Sequence, residues 1–171
     1  PKEWTAKCKT PDFTKYEAIP ELRTALITEQ HGICAFCMRR IPVKDVTESE
    51  TSKIAHLYSR KNRPDLQLKY HNMVASCPGK IDENDEDHCD KSQGPQDVTL
   101  PIHRPGLQAA LSYSSKSGEI KCSNASWDHE IRNILRLNHT LLKENRWEAL
   151  EGVRQLIENK DWKPAQIKEK L

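Results

Sequence analysis

Apolar residues recur at helical spacing near the start of the chain and again over its last third. The first pattern covers residues 19–30, with Pro20 in its first turn, and His31-Gly32 would end this helix. In the last third, Ser126 is a suitable N-cap for a helix, and a further helix is predicted to begin near Lys163-Pro164. The helix after Ser126 has an apolar stripe of Ile131, Ile134, Leu135, Leu141 and Leu142, and a second helix carries Trp147, Leu150, Val153, Leu156 and Ile157.

The middle of the chain predicts short strands and loops. Residues 33–43 indicate a short hairpin and residues 53–57 a strand, and residues 111–120 indicate a second hairpin that turns near Gly118. Together with the flanking helices, these elements predict an α+β fold. The remaining expectations are a polar start anchored by Trp4 and Phe13, a basic loop over 59–70, an apolar stretch at Met73-Val74-Ala75, an acidic solvated loop over 81–87, a short helix over 90–93 and an extended segment over 95–105.

Composition narrows the class of protein. The chain has 171 residues, 36% of them hydrophobic and 30% charged, and its formal net charge is +2. This length suits one domain with a modest core, so we predict a single domain over 1–171. The near-neutral charge does not by itself indicate nucleic-acid binding. Because no apolar run could span a bilayer and no signal-peptide pattern is present, we expect a cytoplasmic protein without membrane contact.

Cysteine spacing provides the strongest chemical signal. Cys34 and Cys37 form a C-x-x-C pair, and Cys77 and Cys89 follow with eleven residues between them. In an intracellular chain such cysteines favour metal ligation over disulfides, and two thiolate pairs can hold a structural Zn²⁺. His88 competes with Cys89 as the fourth ligand, because nitrogen and sulfur donors both serve zinc. The other two cysteines, Cys8 and Cys122, lack partners at ligand spacing.

Several motifs fall together in an order and spacing that match one protein family. They are Cys34-x-x-Cys37, Ile54-Ala55-His56, Pro64-x-Leu66, Asn72-Met73-Val74-x-Ser76-Cys77, His88-Cys89-Asp90-Lys91-x-x-Gly94, Leu111-Ser112-Tyr113, Gly118-x-Ile120, and Leu135-x-Leu137-Asn138 with Leu141 and Arg146. Over nearly its whole length the chain resembles the HNH endonucleases of the PtuB type, which belong to Septu anti-phage systems and related retrons.

This resemblance implies a specific architecture. A small zinc-stapled ββα-metal core, similar to a treble clef, would occupy residues 33–95. A helical lead-in over 1–32 would precede it, and a hairpin with C-terminal helices over 96–171 would follow and offer a docking surface. The implied activity is hydrolysis of nucleic-acid phosphodiester bonds, with structural Zn²⁺ and a catalytic Mg²⁺ or Mn²⁺.

The resemblance also assigns roles to individual residues. His56 would be the general base, since a neutral imidazole can take a proton from water near pH 7. Asn72 would support the loop after this histidine or touch the metal, and Asp90 would be a metal ligand. The expected phosphate contacts are Arg60, Arg63 and Lys91.

Position 55 departs from the family pattern. Ala55 stands where the resemblance leads us to expect a carboxylate, and a methyl group cannot bind a cation. Three explanations are open. The chain carries an introduced inactivating substitution, another carboxylate takes over the role, or the natural protein is a weak nuclease. We favour the first of these from the sequence.

Two classes of function follow. In the first, the protein is a nuclease subunit gated by an ABC/SMC-like ATPase of the PtuA type, with DNA or tRNA as substrate. In the second, it is a zinc-stabilised adaptor without chemistry that binds the ATPase or a nucleic acid. Ala55 and the low net charge favour the adaptor, whereas His56 and Asn72 at motif spacing favour the nuclease.

Overall fold

The computed structural model describes residues 2–9, 14–17, 19–41, 51–80, 85–160, 162–163 and 166–167. These residues form a mixed α+β fold with two small antiparallel sheets, as the sequence predicts. Its helices are α1 (Lys2–Lys7), α2 (Pro20–Glu29), α3 (Cys89–Gln93), α4 (Leu107–Ala110), α5 (Ala125–His129) and α6 (Thr140–Asn159). Its strands are β1 (Lys53–His56), β2 (Met73–Ser76), β3 (Leu111–Tyr113) and β4 (Ile120–Cys122), and a π-helical turn, Glu130–Ile134, follows α5.

The central sheet consists of β1 and β2 alone. They pair antiparallel, so that Ala55 lies opposite Val74 and His56 opposite Met73. All four residues of β2 are buried, because α2 covers this sheet and the short helix α3 packs against β1. The order of the chain here is strand, strand, helix, which brings the end of β1 next to the start of α3.

The N-terminal segment is anchored to the loop between β1 and β2. Trp4 is 2% exposed, and its indole N–H donates to the Leu68 carbonyl at 3.3 Å. The prediction of Trp4 as an anchor is therefore confirmed, whereas Phe13 lies outside the described residues. In α2 the apolar positions Leu22, Leu26 and Ile27 are buried against the core, which confirms the predicted helix and its start at Pro20.

Two predictions for the last third need correction. The N-cap of α5 is Asn124 rather than Ser126, because the Asn124 Oδ1 accepts the Trp127 backbone N–H at 3.1 Å. The first of the two predicted helices is also not continuous. It breaks between the π-helical turn and α6, where Arg136 adopts a left-handed backbone with φ of 50°, so Leu141 and Leu142 lie on α6 together with Trp147.

The two sets of apolar residues predicted for the last third of the chain have different environments. Ile131, Ile134, Leu135 and Leu142 are buried in the core of the protein. Trp147, Leu150, Val153 and Leu156, all on α6, are each at least 37% exposed. The far part of α6 therefore presents apolar side chains to solvent, while its start packs on the core.

The predicted hairpin over 111–120 is confirmed, with β4 extending to Cys122. Its turn lies against α6, since a Cβ at Gly118 would stand within 3 Å of both the Lys143 carbonyl oxygen and the Trp147 nitrogen. The predicted hairpin over 33–43 is reduced to one antiparallel bridge between Ile33 and Arg40. Residues 42–50 lie outside the described part of the chain, as does most of the predicted helix near Lys163-Pro164.

The described part of the acidic loop, residues 85–87, is paired with cations rather than simply solvated. Asp87 lies 3.8 Å from the Lys80 ammonium and 3.2 Å from that of Lys91. Glu86 forms an ion pair with Arg136. The expectation of a solvated loop is wrong for Asp85, whose side chain is 11% exposed, whereas the ion-paired side chains of Glu86 and Asp87 remain 61% and 40% exposed.

Candidate metal centre and catalytic cleft

Four cysteine side chains converge at one point in the protein. The sulfur atoms of Cys34, Cys37, Cys77 and Cys89 lie within 4.8 Å of one another, and three of these residues are buried. The Cys34 and Cys89 sulfurs are 3.9 Å apart, and those of Cys37 and Cys77 are 3.7 Å apart. A tetrahedral Zn²⁺ with bonds of roughly 2.3 Å places its sulfur ligands about 3.8 Å apart, so this cluster has the size of a zinc site.

Local backbone conformation creates this convergence. Cys34 to Cys37 form a tight turn in which the Met38 N–H donates to the Cys34 carbonyl at 3.1 Å, and Met38 is left-handed with φ of 63°. The long connection from Cys77 to Cys89 closes because Gly79 has φ of 80° and its carbonyl accepts the His88 N–H at 2.9 Å. The backbone at Gly79 thus brings Cys77 and Cys89 together, although eleven residues separate them.

The pKa values of the four thiols are shifted in opposite directions. A hydrogen bond from Cys37 lowers the pKa of Cys34 to about 7, and a hydrogen bond from Cys34 also lowers the pKa of Cys77. Hydrogen bonding to Cys34 raises the pKa of Cys37, and burial raises that of Cys89. Four thiolates at these distances would repel one another strongly, and a divalent cation would compensate their negative charge. The donor set and its spacing therefore fit a structural metal ion such as zinc.

His88 stands beside this cluster. It is fully buried, and its Nδ1 lies 3.2 Å from the Cys89 sulfur and 3.9 Å from the Cys77 sulfur. Among the described residues, the group that could hold a metal contains Cys89 and not His88. The four sulfurs already provide the coordination number that a structural zinc site needs.

A separate cleft of about 340 Å³ contains the candidate catalytic residues. It lies where the end of β1 meets the start of α3, and His56 and Asp90 both line it. The remaining lining residues are Ile54, Ser59, Arg60, Lys61, Gly94 and Pro95. The structure therefore brings the predicted base and the predicted carboxylate ligand to one cavity.

His56 is held in the neutral state in this cleft. Its side chain is 7% exposed, and burial lowers its pKa to about 4. The His56 Nε2 lies 3.1 Å from the Gln67 carbonyl, which can only accept, so Nε2 carries the proton and Nδ1 keeps the lone pair. The Tyr16 ring packs edge-on at 4.5 Å and fixes the plane of the imidazole. This is the protonation state that a general base requires.

Asp90 is the carboxylate of the cleft. It is half-buried at the start of α3, and burial raises its pKa to about 6. The nearby cations Lys53 and Arg60 oppose this shift. A carboxylate whose ionised form is poorly solvated gains more from a bound cation than an exposed one does. Asp90 is therefore suited to hold a divalent metal ion.

Asn72 acts on the backbone of the loop rather than in the cleft. It is 1% exposed, and its Oδ1 accepts the Tyr58 N–H at 2.8 Å. Its Nδ2 donates to the carbonyls of Tyr58 at 3.0 Å and Leu66 at 3.3 Å. These contacts match the first of its two predicted roles, support of the loop after His56, and leave the side chain directed at the backbone.

Ala55 does not share the cleft with His56. It is fully buried in the hydrophobic core, and the described residues that line the cleft do not include it. Successive side chains of a strand point to opposite faces, so Ala55 and His56 face opposite sides of β1. On the cleft side, the residue next to His56 is Ile54.

The three predicted phosphate contacts differ in their surroundings. Arg60 lines the cleft and lies 4.9 Å from the centre of the Tyr16 ring. Arg63 forms two hydrogen bonds with Asp65, at 2.9 and 2.8 Å, and Lys91 pairs with Asp87. Neither of these two lines the cleft. Arg60 is therefore the best placed of the three.

Sequence reasoning missed several residues of this site. Tyr16 and Gln67 fix the His56 ring, as described above. Gln93 is 1% exposed, and its Nε2 donates to the carbonyl of His56 at 2.8 Å and that of Leu57 at 3.2 Å. Lys61 was not missed: it lies in the basic run 60–63, which the sequence offers for phosphate contacts, and it also lines the cleft. Spacing could not have suggested Tyr16, Gln67 or Gln93, since they come from other parts of the chain.

A larger cavity of about 860 Å³ lies between the Cys34–Cys37 turn and the hairpin of β3 and β4. It borders the cysteine cluster, and Arg146 lines it among mostly apolar side chains. The Arg146 guanidinium is engaged with the carbonyls of Gly118 at 2.6 Å and Leu137 at 2.7 Å. This cavity also contains a histidine, His103, whose pKa is lowered by burial, and a carboxylate, Glu29, but neither belongs to the motifs that select His56 and Asp90.

In the described part of the chain, no helix is both long and apolar enough to cross a lipid bilayer. Comparison with known proteins identifies no relative: no family model matches the chain, and no curated protein does. The function must therefore be inferred from the metal centre and the cleft.

Proposed function

We propose that this protein is a metal-dependent HNH-type endonuclease that hydrolyses nucleic-acid phosphodiester bonds. The observation that carries the proposal is the shared cleft of His56, which is neutral and oriented, and Asp90, which is a half-buried carboxylate. The strand–strand–helix order of β1, β2 and α3 and the adjacent cysteine cluster support the same family as the sequence motifs do.

In this proposal the residues of the cleft have three separate roles: proton acceptance, phosphate binding and metal binding. His56 accepts the proton of the attacking water at Nδ1, because Nε2 is occupied by the Gln67 carbonyl. Arg60 and Lys61 bind phosphate oxygens at the mouth of the cleft. A divalent cation held by Asp90, Mg²⁺ or Mn²⁺, would polarise the phosphate and stabilise the leaving oxygen.

Two buried side chains keep the base in position. Gln93 holds the backbone carbonyl of His56, and Asn72 holds both backbone groups of Tyr58, two residues further along. His56 is thus held at its own carbonyl, at the backbone two residues further along and at its ring. A base held in this way loses little conformational entropy when it reaches the reactive geometry.

The location of Ala55 bears on the three explanations for its departure from the family pattern. A glutamate at this position would enter the hydrophobic core at a substantial desolvation cost. This favours the second explanation, in which another carboxylate, Asp90, serves the metal. We therefore propose that Ala55 is compatible with activity.

The test is a nuclease assay with plasmid DNA, single-stranded DNA and tRNA in the presence of Mg²⁺ or Mn²⁺. We expect cleavage by the unmodified chain, loss of at least 100-fold with His56→Ala, and a comparable loss with Asp90→Asn (general base catalysis alone typically contributes about 10²–10⁴-fold). His129→Ala serves as the matched control, because His129 is exposed and does not line the cleft. Equal activity of His56→Ala and the unmodified chain would reject the proposal.

The proposal includes an ABC/SMC-like ATPase of the PtuA type as a gating partner. The exposed apolar residues Trp147, Leu150, Val153 and Leu156 on α6 support a docking surface of this kind. Co-purification of the ATPase with the unmodified chain and with Leu150→Glu tests this part separately. Retention of the ATPase by the variant would place the interface elsewhere.

The zinc-stabilised adaptor is the second candidate. One observation favours it: Asp90 is the only carboxylate among the described residues that line the cleft. Metal analysis separates the two candidates. Zinc together with a second, exchangeable divalent ion that is lost in Asp90→Asn supports the nuclease, whereas zinc alone supports the adaptor.

A further inference from the structure

The surroundings of His88 differ from those of an ordinary buried histidine. A neutral imidazole has one N–H, and the nearest groups to the His88 Nδ1 are the sulfurs of Cys89 at 3.2 Å and Cys77 at 3.9 Å. Metal-bound thiolates accept hydrogen bonds, and such bonds reduce the negative charge on sulfur. The His88 Nδ1 therefore faces the sulfur atoms of the cysteine cluster, and it donates to them in the tautomer that carries the proton on Nδ1.

The opposite side of His88 faces the C-terminal part of the chain. Its ring packs against that of His139, with centroids 6.1 Å apart and the planes inclined by 35°. His139 is the residue that precedes α6, and its Nε2 lies 3.2 Å from the Asp85 Oδ1. Both of these side chains are almost fully buried, at 9% and 11% exposure.

Two further contacts join the same two regions. The Cys89 backbone N–H donates to the Leu135 carbonyl at 2.8 Å, and Glu86 is paired with Arg136. The segment 85–89, which contains the last metal ligand, is thus connected to the segment 135–139 at several points. Motion of one segment requires adjustment of the other, because the contacts between them are buried or charged.

We propose that His88 is an outer-sphere hydrogen-bond donor to the metal-bound thiolates of Cys89 and Cys77, and that its packing on His139 ties the metal centre to the start of α6. The role differs from the ligand role that the sequence left open for His88. It is independent of the nuclease proposal, since it concerns only the metal centre and its neighbours.

The first experiment measures zinc content and the rate of zinc transfer to an excess of a chromogenic chelator. We expect His88→Ala to retain one equivalent of zinc and to release it about 10–100-fold faster, the usual effect of removing an outer-shell partner. His88→Gln, whose amide can donate a hydrogen bond, should recover part of the difference. His129→Ala should release zinc at the unmodified rate, because this residue is exposed and does not belong to the cysteine cluster.

Cobalt substitution separates a donor from a ligand. The sulfur-to-cobalt charge-transfer band of His88→Ala should keep the intensity of four thiolates, whereas Cys89→Ser should lose about a quarter of it, in line with one of four sulfurs. A His88→Ala protein that binds less than half an equivalent of zinc, or that releases zinc at the unmodified rate, would overturn the proposal. Should His88→Ala fail to fold, His88→Phe, which keeps a ring but has no N–H to donate, provides the same comparison.

Hydrogen exchange tests the connection to α6. With zinc bound, His88→Ala and His139→Ala should both increase amide exchange over residues 135–146, and exchange in β1 and β2 should stay unchanged. Unchanged exchange over 135–146 in both variants would show that the metal centre and α6 are not connected through these rings, and would reject that part of the proposal.

Discussion

The side chain of Asn72 forms a pair of hydrogen bonds with the backbone of Tyr58, accepting its N–H at 2.8 Å and donating to its carbonyl at 3.0 Å. An amide is the side chain that can satisfy both groups of one residue in this way, because it carries a donor and an acceptor side by side. The pair closes the loop that follows His56, and it helps to fix the position of His56 in the cleft.

Replacement of Asn72 should therefore destabilise the protein strongly. Asn72→Ala removes the partner of the partly buried N–H and C=O of Tyr58, and we expect the free energy of unfolding to fall by about 1–3 kcal/mol. Asn72→Asp keeps the acceptor and loses the donor, so part of the loss should remain. Urea denaturation measures both changes. Lys69→Ala, at an exposed position of the same loop, should change stability by less than about 0.5 kcal/mol.

His56 and Asp90 should give stability opposite dependences on pH. The pKa of His56 falls from 6.5 to about 4 on folding, so the unfolded chain binds the extra proton between these values and His56 lowers stability as pH falls. The pKa of Asp90 rises from 3.8 to about 6, so the folded protein binds the extra proton and Asp90 raises stability as pH falls.

The two variants should accordingly diverge from the unmodified protein as pH falls from about 6.5 to 4. His56→Gln should gain stability relative to it, and Asp90→Asn should lose stability. Urea denaturation at several pH values measures these differences, and the titration of the cysteine cluster cancels because it is common to all three proteins. Parallel stability curves for all three would contradict the assigned protonation states.

Tyr16 should control access to the His56 ring. The two rings meet edge-on at 4.5 Å, and the Tyr16 N–H donates to the Gln67 side chain at 3.1 Å, so one short segment shields the imidazole. We expect Tyr16→Ala to raise the rate of His56 acylation by diethyl pyrocarbonate severalfold, as read by peptide mass spectrometry. Tyr16→Phe keeps the ring and should react at the unmodified rate; equal rates for both variants would exclude shielding by Tyr16.

Arg60 and Arg63 should contribute unequally to nucleic-acid binding, if the proposed function holds. Arg60 lines the cleft, whereas the guanidinium of Arg63 already binds the Asp65 carboxylate through two hydrogen bonds. Arg60→Ala should reduce the slope of log K against log salt by about 1, the effect of one phosphate contact. Arg63→Ala should change the slope less. Fluorescence anisotropy at several salt concentrations measures both, and an equal loss in the two variants would contradict the assignment.

Gly79 should be irreplaceable beside the metal centre. A Cβ at this position would lie 2.5 Å from both the His88 carbonyl oxygen and the Lys91 Cβ, and its φ of 80° disfavours other residues. We expect Gly79→Ala to cost about 1–3 kcal/mol of stability and to accelerate zinc loss. Gly152→Ala is the matched control: no atom lies within 4 Å of the added methyl group, and helix propensity should stabilise α6 by about 0.5–1 kcal/mol.

Predictions based on local pattern were confirmed where local forces dominate. The helix that starts at Pro20, the strand at Lys53–His56 and the hairpin of β3 and β4 follow from apolar periodicity and turn residues within a few positions. The predicted N-cap of α5 was wrong because Asn124 and Ser126 are both good N-cap residues. Sequence preference does not choose between them. The backbone just after β4 places Asn124 at the N-cap position.

The cysteine pattern by itself indicated a metal centre, since the ligand types and their count are properties of the sequence, and the structure brings all four sulfurs together. The resemblance of the motifs to the HNH family selected His56 and Asp90. Tertiary structure decided the rest: the neutral state of His56, the partners of Asn72, the position of Ala55 in the core and the place of His88 beside the metal cluster. Burial and hydrogen bonding arise from residues that are distant along the chain, such as Tyr16, Gln67 and His139, and no local pattern encodes those encounters.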